Sequence, residues 1–170
     1  MDHFARLGLP AALDLDIASL DRAYFALQRQ WHPDRFVAKP AVERARASSL
    51  AAALNDAYRT LKDPLSRAVY LAQLRGVELP GDGKTIDDPE LLMEAMEARE
   101  ELHEAASIEA VDLLAAKARD DIEASLAALG ALFLAEDKPA IRKTLLRLRY
   151  LDKFAEEARA RRLNIERSTA

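Results

Sequence analysis

The chain has 170 residues, a formal net charge of −4, and a composition that is 50% apolar and 32% charged. That is the profile of a soluble globular protein with room for one full domain or two small ones. There is no cysteine and there are three histidines, His3, His32 and His103, which excludes a disulfide framework and thiolate chemistry and leaves any metal site short of ligands; no cofactor is expected.

Asp2 can cap a short first helix that Gly8-Leu9-Pro10 ends. Asp16 is the cap expected for a second helix over 17–31, whose stripe Leu20, Tyr24, Leu27 and Trp31 falls at helical spacing. Pro33 pushes His32 towards extended backbone, so this helix should stop there. Pro40 opens a third helix over 41–61, expected to bury Leu50, Leu54, Ala57, Tyr58 and Leu61. Asp63-Pro64 breaks it and starts a fourth over 64–75, closed by Gly76. The stretch "GVELPGDGKTIDD", residues 76–88, reads as a linker. Asp88-Pro89-Glu90 then reads as cap, first-turn proline and early acid. Three long helices are predicted beyond it, over 89–106, 108–135 and 139–163, with Pro139 starting the last. No segment alternates with a period of two, so no sheet is expected. The predicted fold is all-α: a small helical domain at 1–75, a linker at 76–88, and a three-helix bundle at 89–170.

The longest apolar run, residues 126–135, is too short to span a bilayer. The opening "MDHFARLGLP" lacks a signal pattern. The expected location is the cytoplasm, with no membrane partner. Charge is uneven: residues 1–76 hold 11 basic and 8 acidic side chains, residues 77–170 hold 14 and 21. Two units with different partners are implied. The basic half is too mild for a nucleic-acid stripe.

One stretch needs a reason: "QRQWHPDRF", residues 28–36, sets a titratable ring, a helix breaker and a carboxylate in a row, with an aromatic on each side. An active site, a metal loop or a docking corner could be built from it. A catalytic reading lacks a nucleophile or second acid nearby. A purely structural reading, in which the loop only turns the chain, stands beside the docking one. Arg22 and Arg29 point away from the apolar stripe and Arg35 follows the loop, so a modest basic surface flanks a stiff turn. That surface suits an acidic protein partner.

These residues carry a resemblance. "DHFARLGLP", "LDRAYFALQRQWHPDRF" and "NDAYRTLKDPLSRAVYL" resemble the J-domain of DnaJ-type co-chaperones. In that family a helical hairpin presents His-Pro-Asp, which stimulates ATP hydrolysis by a DnaK-type chaperone. No Gly/Phe-rich or Cys-rich region follows residue 76. Instead "LMEAMEAREEL" and "LRLRYLDKF" extend the resemblance over essentially the whole chain to the HscB family, the J-proteins of iron–sulfur cluster biogenesis. The resemblance implies that His32, Pro33 and Asp34, with Arg22, Arg29 and Arg35, engage the chaperone HscA. It also implies that the bundle binds the scaffold protein IscU. Phe25-Ala26 departs from the basic pair that many J-proteins carry there, which puts activation of a general DnaK in doubt.

The residues of the helix from 89 agree with a second surface. Leu91, Ala95, Ala98 and Leu102, continuing to Ala105 and Ala106, form the stripe expected to be buried. Leu92, Met93 and Met96 fall on the other side among Glu97, Glu100 and Glu104, leaving three large apolar side chains exposed. Such a cluster with a charged rim suggests a binding surface, and methionines suit one that adapts to a partner. The alternative is that Leu92 and Met96 pack against the neighbouring domain. The resemblance implies scaffold binding by Leu92, Met93, Met96, Glu97, Glu100, Glu104 and Tyr150. Met96 stands where a family member can carry Leu, a volume-conserving difference.

The expectation is therefore a monomeric, non-enzymatic adaptor with two docking surfaces. A general J-domain co-chaperone with another client, a small hydrolase using His32 and Asp34, and a nucleic-acid-binding bundle are the rivals.

Overall fold

A computed structural model describes residues 1–81 and 86–169 of the chain. The chain divides into two compact units, Met1–Leu74 and Arg75–Ala170. Among the described residues every regular element is helical, as the missing period-two pattern requires.

The first unit holds α1 (His3–Arg6), α2 (Ile17–Trp31), a 3-10 turn (Pro33–Phe36), α3 (Ala41–Lys62) and α4 (Pro64–Leu74). Asp2 caps α1 by accepting from the Ala5 amide at 2.8 Å. Asp16 caps α2 by accepting from the Ala18 and Ser19 amides, each at 3.1 Å. Together these bonds satisfy amides that a helix start otherwise leaves orphaned. Asp21 on α2 meets Tyr58 and Lys62 on α3, while Gln28 meets Asn55, so α2 and α3 run antiparallel. The core holds Phe4, Leu7, Leu20, Ala47, Leu54, Ala57, Leu61 and Leu71. Each large apolar member adds roughly 1.5–3 kcal/mol of burial. Arg67 is the buried charge of this unit; its guanidinium donates to the Leu13 and Leu61 carbonyls at 2.9 and 2.7 Å. It thereby ties the loop before α2 to the end of α3.

The predicted α2 stripe is only partly a core. Leu20 is fully buried, but Tyr24, Leu27 and Trp31 are half-buried. The reason is the partner helix: α3 offers Asn55 and Tyr58 opposite Tyr24, so the Tyr24 hydroxyl donates to Asn55 Oδ1 at 2.9 Å and its ring stacks on Tyr58 at 4.0 Å. Alanines 47 and 51 carry the tight α3 packing, where Leu50 and Tyr58 were expected; both of those are half-buried.

The second unit is an up-down-up bundle of α5 (Pro89–Glu104), α6 (Ile108–Leu134) and α7 (Lys138–Thr169). Asp88 caps α5 and Ser107 caps α6. Asp137 accepts from the Ala140 amide at 3.0 Å at the start of α7. The pairs Glu90–Lys143, Glu94–Arg147 and Arg99–Glu157 advance together along both helices, so α5 runs parallel to α7. Asp112 meets Arg162, so α6 runs antiparallel to α7, which packs against both other helices. Leu91, Val111, Leu129, Ile141, Leu145 and Leu148 are fully buried. The last helix extends to Thr169, beyond the 163 expected, and its added turns still place Ile165 against the core.

Of the expected linker at 76–88, residues 82–85 lie outside the described residues. The rest is packed. Gly76 takes φ +74°, Val77 is 4% exposed, and Arg142 and Arg149 donate to the Glu78 and Pro80 carbonyls at 3.1 and 2.7 Å. Arg142 also pairs with Asp87 at 2.6 Å, which holds that carboxyl below the usual range.

Candidate docking surfaces

The first surface begins where α2 stops. Proline at 33 disfavours helical backbone at the residue before it, and His32 takes φ −60°, ψ 129°. Its Nδ1 accepts from the Asp34 amide at 3.3 Å, and the Arg35 amide donates to the His32 carbonyl at 3.0 Å. These two bonds wind Pro33–Phe36 into a 3-10 turn. The Asp34 carboxylate lies 3.5 Å from the same imidazole nitrogen, an ion pair whenever the ring is protonated. Two longer braces hold the corner. The Arg35 guanidinium folds back to donate to the Arg29 carbonyl at 2.9 Å, satisfying a last-turn acceptor of α2. Trp31 and Phe36 stack across the turn with planes 7° apart. The aromatics on either side of His-Pro-Asp are thus the clamp of the corner.

What the clamp presents is open to water. His32, Pro33, Asp34, Arg29 and Arg35 are all exposed, the Asp34 side chain at 85%. A shallow groove runs beside them, lined by Phe25, Gln28, Arg29, His32 and Arg35. Arg22 is not part of it. It sits about 15 Å along the helix from His32, donates to Ser19 Oγ at 2.7 Å and pairs with the capping Asp16 at 3.5 Å. Phe25, read from the sequence only as a missing base, is 54% exposed and forms one wall of the groove. The signal for it was available: 25, 29 and 32 are spaced four and three apart, one helix face.

The second surface is the outer face of α5. Leu91, Ala95 and Leu102 are buried against the bundle, as the stripe predicts; Ala106 lies past the helix end and is exposed. This rotation leaves Met93 and Met96 at 63% and 61% exposure, with Glu97, Glu100 and Glu104 exposed around them. Leu92 differs from expectation and is half-buried, because it lies next to the buried edge of the helix. The ion pairs to α7 fix the rotation; Arg99 reaches Glu157 with two bonds of 3.0 Å. Tyr150 comes from α7 and is half-buried, and burial raises its phenol pKa, with Glu94 adding to the effect. It shares a groove with Glu97. Leu92, Met93, Met96, Glu100 and Glu104 do not line that groove.

Among the described residues no three His, Asp or Glu side chains cluster as metal ligands, and no helix is long and apolar enough to cross a membrane. An exposed, braced His-Pro-Asp corner on one helical unit and an exposed helix face on another fit the J-type co-chaperone class.

Comparison with known proteins gives that class a family. Residues 87–159 match the family model described as the HSCB C-terminal oligomerisation domain. The co-chaperone protein HscB homolog of Burkholderia multivorans is 41% identical over 161 residues, covering 93% of this chain and 92% of that protein. Its counterpart in Cupriavidus taiwanensis is 43% identical, covering 92% and 90%. Among solved structures, chaperone HscB from Vibrio cholerae superposes with a TM-score of 0.84 at 33% identity, covering 97% of this chain and 99% of that one. Human co-chaperone HscB gives 0.88 at 29% identity, covering 96% and 83%. The chain belongs to the HscB family of J-type co-chaperones.

Proposed function

We propose that this protein stimulates the ATPase of a dedicated DnaK-type chaperone, HscA, and delivers the iron–sulfur scaffold protein IscU to it during cluster assembly in the cytoplasm. The observation that carries the reading is the corner itself: His32, Pro33 and Asp34 exposed to water and clamped from behind by Trp31, Phe36 and Arg35. A loop ordered before binding loses little entropy on docking. The imidazole and carboxylate offer a donor and a charge to the chaperone. Arg29 and Arg35 add positive charge beside them, and Arg22, partly neutralised by Asp16, contributes at longer range; their attraction speeds encounter and weakens with salt.

The client side is Leu92, Met93, Met96, Glu97, Glu100, Glu104 and Tyr150. Flexible methionines ringed by carboxylates can repack on a partner's apolar side chains while the rim sets orientation. One chain that carries both surfaces raises the effective concentration of client at the chaperone. The cluster is cargo held by the scaffold; this chain has no cysteine to ligate it. The test is a steady-state ATPase assay on HscA with this protein, with and without IscU. Stimulation that rises further with scaffold is expected; no stimulation in either case sinks the reading.

A further inference from the structure

The groove that holds Glu97 and Tyr150 is lined by residues of α5, α6 and α7. Its floor is apolar: Ala118, Leu151 and Phe154 are 3%, 4% and 5% exposed. Half-buried Leu114 and Tyr150 form its walls. Its rim carries four carboxylates, Glu94, Glu97, Glu101 and Asp121, against two cations, Lys117 and Arg147. Arg147 is committed to Glu94. Among the described residues Glu97, Glu101 and Asp121 make no ion pair, and neither does Lys117. Negative charge is therefore left over at the mouth of an apolar trough.

That combination selects its occupant. A solvated helix face has no need of an apolar floor, and a seam awaiting an apolar helix would not be rimmed by unpaired carboxylates. A long side chain with a methylene stem and a cationic tip matches both halves. We infer that the groove receives a lysine or arginine side chain of the client protein, its stem against Leu114 and Tyr150 and its head among Glu97, Glu101 and Asp121. The inference rests on the reading that the bundle holds the scaffold. It goes beyond it by bringing α6 into the interface, so that the client turns the corner from the Met93–Met96 ridge through Glu97, which both surfaces share. Burial raises the Tyr150 pKa, so the phenol stays neutral and its oxygen can accept a hydrogen bond from the incoming cation.

The test compares two neighbours on α6. Asp121 lines the groove; Asp120 is exposed and does not. Asp121→Lys and Asp120→Lys change the net charge equally, so long-range steering is the same for both. With purified IscU as probe and the full chain, calorimetry is expected to give a Kd raised about tenfold or more for Asp121→Lys and less than about twofold for Asp120→Lys. Should Asp121→Lys fail to fold by circular dichroism, Asp121→Asn serves instead, with about a threefold rise expected. Replacing the scaffold's lysines and arginines singly should reveal one whose loss adds nothing once Asp121 is reversed. Equal effects of the two aspartate substitutions overturn the groove while leaving the scaffold reading intact. No binding of IscU by the wild-type chain sinks both. A self-associating chain whose dimer is dispersed by Asp121→Lys would make the occupant a second copy and overturn the inference.

Discussion

In the N-terminal unit the proposed docking residues sit where a helix stops; in the C-terminal unit they sit along one that runs on. The hydrogen bonds and the ring stack that brace the corner at His32 come from its own neighbours, from Arg29 to Phe36, while the turn as a whole rests on α3. The α5 face has no such local scaffold. Its Met93 and Met96 point outward only because Leu91, Ala95 and Leu102 are buried and because Glu90, Glu94 and Arg99 are paired to α7. A local device should fail all at once when one member is changed; a surface set by distant packing should fail by degrees.

The sharpest break is at the corner. His32→Gln is expected to abolish ATPase stimulation, leaving scaffold affinity and melting temperature unchanged, since the side chain is 52% exposed. Stimulation that survives, read in the same ATPase assay, removes the corner from the chaperone interface. Next comes the packing that orients the second surface. Leu145, with no exposed surface, sits in α7, and Leu145→Ala should cost about 2–5 kcal/mol by urea unfolding. A cost near zero would mean that the bundle core is not where it is described. Smaller again is the face itself. Met93→Ala with Met96→Ala should raise the scaffold Kd about tenfold while stability moves by about 0.5 kcal/mol or less; a large fall in melting temperature would place these residues in a core. Adding Leu92→Ala should cost further stability, because Leu92 is half-buried.

The smallest effect is the pH dependence of the α2 cap. The Ser19 hydroxyl, then the Ala18 and Ser19 amides, hold the Asp16 carboxyl below its usual value of 3.8. A depressed folded pKa means that the contribution is full above the unfolded value and is lost as pH falls through the folded one. Asp16→Asn should therefore flatten the acid limb of unfolding, followed by denaturant titrations from about pH 5 downward. An unchanged limb would show that the cap is not coupled to folding. Sedimentation is expected to return a single species of 18.9 kDa; a heavier one would instead favour the oligomerisation named in the family model's description.

Much of this was legible because the signals are local. Asp16 and Pro33 bracket α2, and the structure begins and ends that helix at Ile17 and Trp31. Asp88-Pro89 opens α5 at Pro89 in the same way. The α5 stripe identified its buried edge, since a helix with period 3.6 has only one face to give to a core. Legibility ended where two elements meet. Trp31 looked like the end of an apolar stripe and is instead the lid of the turn, stacked on Phe36. Arg22 and Arg29 look equivalent on a wheel, but a wheel carries no information along the axis, and Arg22 lies at the capped end beside Asp16. The segment before Asp88 reads as free linker, yet Arg142 and Arg149 bind its carbonyls from more than sixty residues away.

The sequence alone determined an all-helical chain, its breaks, the stiff His-Pro-Asp corner and the outward methionines, because each depends on backbone sterics or on a single helix's periodicity. Only the tertiary structure decided that Phe25 walls a groove at the corner, that Leu92 is half withdrawn, and that Glu97 and Tyr150 share a trough with Asp121. Those facts need the relative placement of helices, which side-chain packing between distant segments sets.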